Sequence, residues 1–200
     1  RTQGASQVIL DLCDRAAADE ARHVDICLVQ AREFLPEFDV RPPTTQLRLA
    51  PESMCEDDAL LYEMTAVCCI SETINSTLLS FIHEHASWPS IRTSARRLLE
   101  DEIWHSRLGW AYLQERSQIT DVGWLSDYII PLLESAGARE IFSQKDPERD
   151  ASHMMHYGEL NHRQRIDMFE SVVSTVILPG FETFDIETTE ARRWLTELGA

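Results

Sequence analysis

The chain has 200 residues, 44% of them hydrophobic, with 7 Gly and 8 Pro, enough apolar material to bury one substantial core as a single helical domain. Asp and Glu outnumber Lys and Arg by 34 to 18, a net charge of -16, which repels nucleic acid and anionic membrane and makes cations the natural guests. No stretch reads as a signal peptide or a bilayer-spanning run, and Cys13, Cys27, Cys55, Cys68 and Cys69 form no C-x-x-C pair, so buried free thiols in a reducing, cytoplasmic setting are expected.

The first predicted helix covers residues 6 to 35. Val8, Leu12, Ala16, His23, Cys27 and Ala31 recur at mostly helical spacing before Pro36 ends it. Its centre holds Asp19-Glu20-Ala21-Arg22-His23. Three residues of helix turn about 300°, so Glu20 and His23 share a face and can reach one metal ion. Residues 36 to 51, with Pro36, Pro42, Pro43 and Pro51, read as a connector. Some 16 extended residues reach about 53 Å, enough to return along a helix of roughly 45 Å.

A second helix is predicted from Pro51-Glu52-Ser53 to about Ala86, with Glu72 in or beside its apolar band and Glu63 facing away. A carboxylate in a core stripe is costly unless paired or metal-bound. His83 lies about 16 Å along the helix from Glu72, too far to act at the same level. After a break at Ser87-Trp88-Pro89-Ser90, a third helix over residues 91 to 116 carries Asp101-Glu102-Ile103-Trp104-His105, the second Glu-x-x-His. An antiparallel hairpin about residue 87 puts Glu72 and Glu102 at one height, roughly 22 Å from the bend, and Glu20 lies as far from the end of its own helix.

Around these motifs Gly109 reads as a close-packing residue and Tyr112 as a core tyrosine. Asp19, Asp25 and Asp101 are possible acceptors for the histidines, although surface solvation is the plainer reading of each. Beyond residue 117, Val122, Leu125, Ile129, Leu132 and Leu133 predict a helix kinked at Pro131, with Gly137 near its end. A further helix is expected from Ala151 to Pro179-Gly180, and a short acidic one over 185 to 198. Glu159 and His162 form a third Glu-x-x-His, with His153 and His156 before it. Capping or solvation is the simpler role there, because steps of three drift round a helix.

Glu20-x-x-His23, Glu72 and Glu102-x-x-His105, with a crossover to match, resemble the ferritin-like di-iron carboxylate superfamily over residues 6 to 116. The resemblance implies an all-α, ferritin-like four-helix bundle with three core helices visible, and a C-terminal helical extension over residues 117 to 200 within the same domain. It implies that Glu20, His23, Glu72, Glu102 and His105 hold two iron ions, with manganese as the alternative for one or both, and that Glu20, Glu72 and Glu102 take part in catalysis. The expected activity is a non-haem di-iron oxygenase or oxidase that activates O2 to hydroxylate, desaturate or N-oxygenate a small organic substrate. An external electron donor is expected as partner, with a homodimer as an open possibility. A ferroxidase or iron-handling protein is one alternative. Another is a metal-free helical interaction module, with Arg22, Arg97 or Arg107 pairing the inward acids.

Two departures stand out. Members of the superfamily place a first Glu on a helix ahead of the first Glu-x-x-His, and this chain has no room for that helix before Glu20. A segment upstream of Arg1 is the preferred source, ahead of a second subunit or an incomplete site. One N-oxygenase branch adds a histidine four residues before the last Glu, where this chain has Leu98.

Overall fold

The computed structural model describes residues 5–39, 48–143 and 151–198. They are helical, with no strand among them. Helix α1, Gln7–Phe34, starts at the Ser6 N-cap, whose Oγ accepts from the Ile9 N–H. Helix α2, residues 56–85, and helix α3, Pro89–Ser117, form an antiparallel hairpin. α1 is antiparallel to α3: Ser6 N–H donates to Glu115 near one end, and Glu33 accepts from Trp88 and Ser90 at the other. α3 is therefore the central helix, with α1 and α2 running parallel on its flanks.

That arrangement needs the predicted crossover, and the described parts of the connector agree with it. Phe34 packs on Trp88 and Tyr157 at the hairpin end, while α2 begins at the opposite end. Of the four connector prolines, Pro42 and Pro43 lie outside the described residues. Helix α2 starts at Glu56, later than the predicted Pro51, because Pro51 opens a turn closed by the Met54 N–H. Glu63 accepts from the Leu49 and Ala50 N–H groups, so the carboxylate that faces away from the site pins the incoming connector.

Helix α2 widens into a π turn at Thr65–Ser71. One extra residue in the turn lets Cys68, Cys69 and Ile70 be buried in succession, and Ser71 Oγ donates to the Ala66 carbonyl at 3.0 Å. Gly109 of α3 receives this bulge: a Cβ there would sit 2.6 Å from the backbone carbon of Cys68. Close packing is thus the reason for that glycine. By length and composition, Glu56–His85 is long and apolar enough to cross a membrane, contrary to the expectation that no run reaches that length. In the fold it is a core helix, with Leu61, Cys69, Ile70 and Ile74 buried in the main hydrophobic cluster.

The C-terminal extension corrects several boundaries. Helix α4, residues 123–143, opens as a 3-10 turn, and Pro131 falls in the first turn of its α segment, where no N–H partner is needed. The break comes at Gly137, with φ 100°. Helix α5, Ala151–His156, and helix α6, residues 162–182, replace the single predicted helix. Gly158 turns the chain at φ 74°, and Asn161 and Gln164 form a capping box that starts α6. α6 then passes through Pro179, which sits just after a π turn at Val173–Ile177, where the helical ladder is already displaced. Helix α7 is Thr189–Leu198. Phe169, Phe181, Ile177 and Leu133 are fully buried in the same cluster as α2 and α3, each worth roughly 1.5–3 kcal/mol of burial. The extension thus braces the outer side of the hairpin.

Candidate metal centre

The antiparallel register of α1 and α3 brings the two Glu-x-x-His motifs face to face. Glu20, His23, Glu102 and His105 each offer one ligand atom, and these atoms lie within 4.8 Å of one another. His105 Nδ1 is 3.1 Å from Glu20 Oε1 and 3.0 Å from Glu102 Oε2. His23 Nδ1 is 3.6 Å from Glu20 Oε1 and 3.3 Å from Glu102 Oε1. His23, Glu102 and His105 are buried, whereas the Glu20 side chain is 54% exposed. The cluster is closed on the α3 side and open along α1.

Each histidine turns its other nitrogen to an aspartate of the opposite motif. His105 Nε2 lies 3.4 Å from Asp19 Oδ2, and His23 Nε2 lies 3.3 Å from Asp101 Oδ2. Donation from Nε2–H to these carboxylates fixes the tautomer that leaves both Nδ1 lone pairs aimed into the cluster. Arg22 holds the two aspartates together, its Nη2 at 2.6 Å from Asp19 and 3.0 Å from Asp101. Solvation was therefore the wrong reading for Asp19, which is buried, and for Asp101. It holds for Asp25, which is exposed. The signal was present in the sequence, since both motifs read Asp-Glu-x-x-His.

The electrostatics ask for a cation. Burial, then a hydrogen bond with Glu72 and the charges of Glu72, Glu20 and Asp101, push the Glu102 carboxyl up to about 9. Burial alone would raise Asp19 too, but hydrogen bonds from Arg22 and His105 and their charges outweigh it and hold Asp19 below the ordinary carboxylate range. Glu72 adjoins Glu102 from α2 but is not one of the four convergent ligands. Its Oε2 and His23 Nδ1 are buried without hydrogen-bond partners. The orphaned His23 Nδ1 beside mutually repelling carboxylates fits a bound metal ion, because coordination would satisfy it.

The other candidates lie elsewhere. His83 stands beside the Arg92 carbonyl, His156 Nδ1 is 2.5 Å from Ser87 Oγ, and His153 packs on Tyr157. Glu159 sits in the turn before α6 and His162 is that helix's first residue, so the third Glu-x-x-His shares no helix face. Tyr112 is a buried core residue. All five cysteines are free, yet Cys27 and Cys55 are exposed, which corrects the expectation of buried thiols for those two. No family model, curated protein or solved structure matches the chain, so the evidence for a metal centre is the meeting of Glu20, His23, Glu102 and His105 in one cluster.

Proposed function

We propose that the chain is an O2-dependent, non-haem di-iron oxidoreductase of ferritin-like type that oxidises a small organic molecule. The observation that carries this reading is the convergence of two Glu and two His donors from two helices, each His held by an aspartate of the other helix. Carboxylates and imidazoles together suit iron, with manganese as the close alternative. In this reading Glu20, His23, Glu102 and His105 are metal ligands, and Glu72 joins them from α2 beside Glu102.

Bound iron would supply the two-electron chemistry with dioxygen. The protein's own part is placement and charge. Asp19 and Asp101 hold the imidazole tautomers, Arg22 bridges the two aspartates and keeps Asp19 ionised, and the buried Glu102 loses its proton when a cation arrives. The core around Cys68, Cys69 and Tyr112 excludes water from the α2–α3 side, while exposed Glu20 marks the side from which small molecules enter.

The exposure of Glu20 also supports a second reading, a ferroxidase that takes Fe(II) in from solvent. Both are tested by anaerobic Fe(II) loading and metal analysis, followed by an O2 pulse with candidate reductants and substrates. About two iron ions per chain, with organic product formed in proportion to O2 consumed, support the oxygenase. Iron oxidation without organic product supports the ferroxidase. No bound iron sinks both.

A further inference from the structure

The solvent face of α3 is charged opposite to the chain as a whole. Arg92, Arg96, Arg97, Ile103, Trp104 and Arg107 are all exposed, and at 100° per residue they fall within a sector of roughly 140°. Glu100 is the one acid among the exposed residues from 92 to 107, and it lies 3.6 Å from Arg96. Four arginines against one glutamate is the reverse of a chain with 34 acids and 18 bases. At one end of the strip, Trp104 is clasped by two guanidinium groups. Arg15 of α1 and Arg107 lie 4.9 and 4.8 Å from its ring centroid.

This face backs directly onto the metal cluster. Glu102 and His105 project from the opposite side of the same helix, roughly 10 Å away, the diameter of a helix with its side chains. Trp104 is covalently joined to His105. Arg15 adds a second route, its Nε 3.6 Å from Asp19, whose carboxylate is 3.4 Å from His105.

The geometry points to this face of α3 as the docking surface for an acidic one-electron carrier protein. Exposed Trp and Arg flanked by an aliphatic side chain have the composition of interface hot spots. The strip is about 24 Å long, which suits the small interface of a transient redox encounter. The charge contrast orients such a partner: a chain of net charge -16 repels it on average, while this strip is locally positive. Nucleic acid is the poorer fit, because its flanking phosphates would meet the acidic remainder of the surface. The inference rests on the oxidoreductase reading. A reduced one-electron carrier docked here would give up one electron per encounter to a ferric ion held by Glu20, His23, Glu102 and His105, so returning two such ions to the ferrous state would take two encounters.

The test uses an acidic plant-type [2Fe–2S] ferredoxin as probe and the whole chain, wild type and an Arg92→Glu/Arg96→Glu/Arg107→Glu variant. Binding of the oxidised ferredoxin is measured calorimetrically at low and at physiological ionic strength. Reduction of the iron-loaded protein by reduced ferredoxin is followed by stopped flow. The expected result is binding that weakens with salt, at least roughly tenfold weaker binding in the variant, and a reduction rate that falls as salt rises, with iron content and helicity unchanged. Trp104→Ala should slow reduction while leaving iron content intact. Iron uptake without ferredoxin binding, binding indifferent to charge reversal, or a rate that rises with salt overturns the docking surface alone. Failure of the wild type to take up iron overturns the di-iron reading and with it the electron-delivery role. Preference for a duplex DNA oligonucleotide over ferredoxin overturns the proposal in favour of a nucleic-acid surface.

Discussion

His105 Nε2 meets Asp19 Oδ2 across the α1–α3 interface, and His23 repeats the contact with Asp101 in the reverse direction. In both contacts the residue numbers sum to 124, so one antiparallel register serves both. Each motif lends its aspartate to the other's histidine, and the site exists only while the two helices are docked.

Replacing either aspartate by asparagine keeps its shape but removes the charge that fixes the imidazole. Asp19→Asn and Asp101→Asn should each weaken metal affinity by roughly 10–100-fold, read by chelator competition with Fe(II) or Co(II). Affinity equal to wild type in both variants would mean that the aspartates serve packing alone.

The metal-free protein should carry an unusual pH signature. The Glu102 carboxyl is raised from 4.5 to about 9 in the folded state. Its contribution is fully present below about 4.5 and is lost as pH rises through about 9. Thermal stability without metal should therefore decline across that window, and Glu102→Gln should flatten the decline. Metal binding displaces the same proton, so apparent affinity should rise with pH. A metal-free melting profile with the same pH slope in wild type and Glu102→Gln would refute this.

Gly109→Ala forces a Cβ into the Cys68 backbone at 2.6 Å. Relief requires α2 and α3 to separate at the π turn, at a cost of about 1–3 kcal/mol. Chemical denaturation should show the loss, and metal analysis should show a weakened site, since Glu72 and Glu102 sit on those two helices.

Asn161→Ala supplies the contrast. It removes the capping box at the start of α6 and should cost about 1 kcal/mol while leaving iron stoichiometry at the wild-type value. A parallel loss of iron would mean that the extension and the site are more tightly coupled than the packing of α6 on α2 implies.

The four clustered residues were legible in the sequence because a metal-ligand pattern fixes residue type and spacing together. Glu20, Glu72 and Glu102 could be placed at one level by counting 1.5 Å per residue from a bend or a helix end, and Glu20 and Glu102 meet with their histidines in the cluster, whereas Glu72 adjoins it. Helix ends were less legible, because proline is ambiguous. Pro36 ends a helix, Pro89 starts one, and Pro131 and Pro179 are absorbed where a 3-10 or π turn has already displaced the ladder. Periodicity over Val67-Cys68-Cys69-Ile70 gives an apolar run but no sign of the extra residue that buries three of them in a row. Asp19 is harder to read for a different reason: a single aspartate on a helix is usually solvated, and although the repeated Asp-Glu-x-x-His hints at a role, it is the register with α3 that identifies the partner.

α1 finds its principal packing on α3, with Val8, Val24 and Val29 left exposed along its length. A metal held by Glu20 and His23 on one helix and by Glu102 and His105 on the other would therefore act as a rivet through the α1–α3 seam. Chelation should loosen α1 selectively, so that its backbone amides exchange with deuterium well before those of the α2–α3 hairpin. Occupancy of the site would then be written into the breathing of one helix and could be read without following any reaction at all.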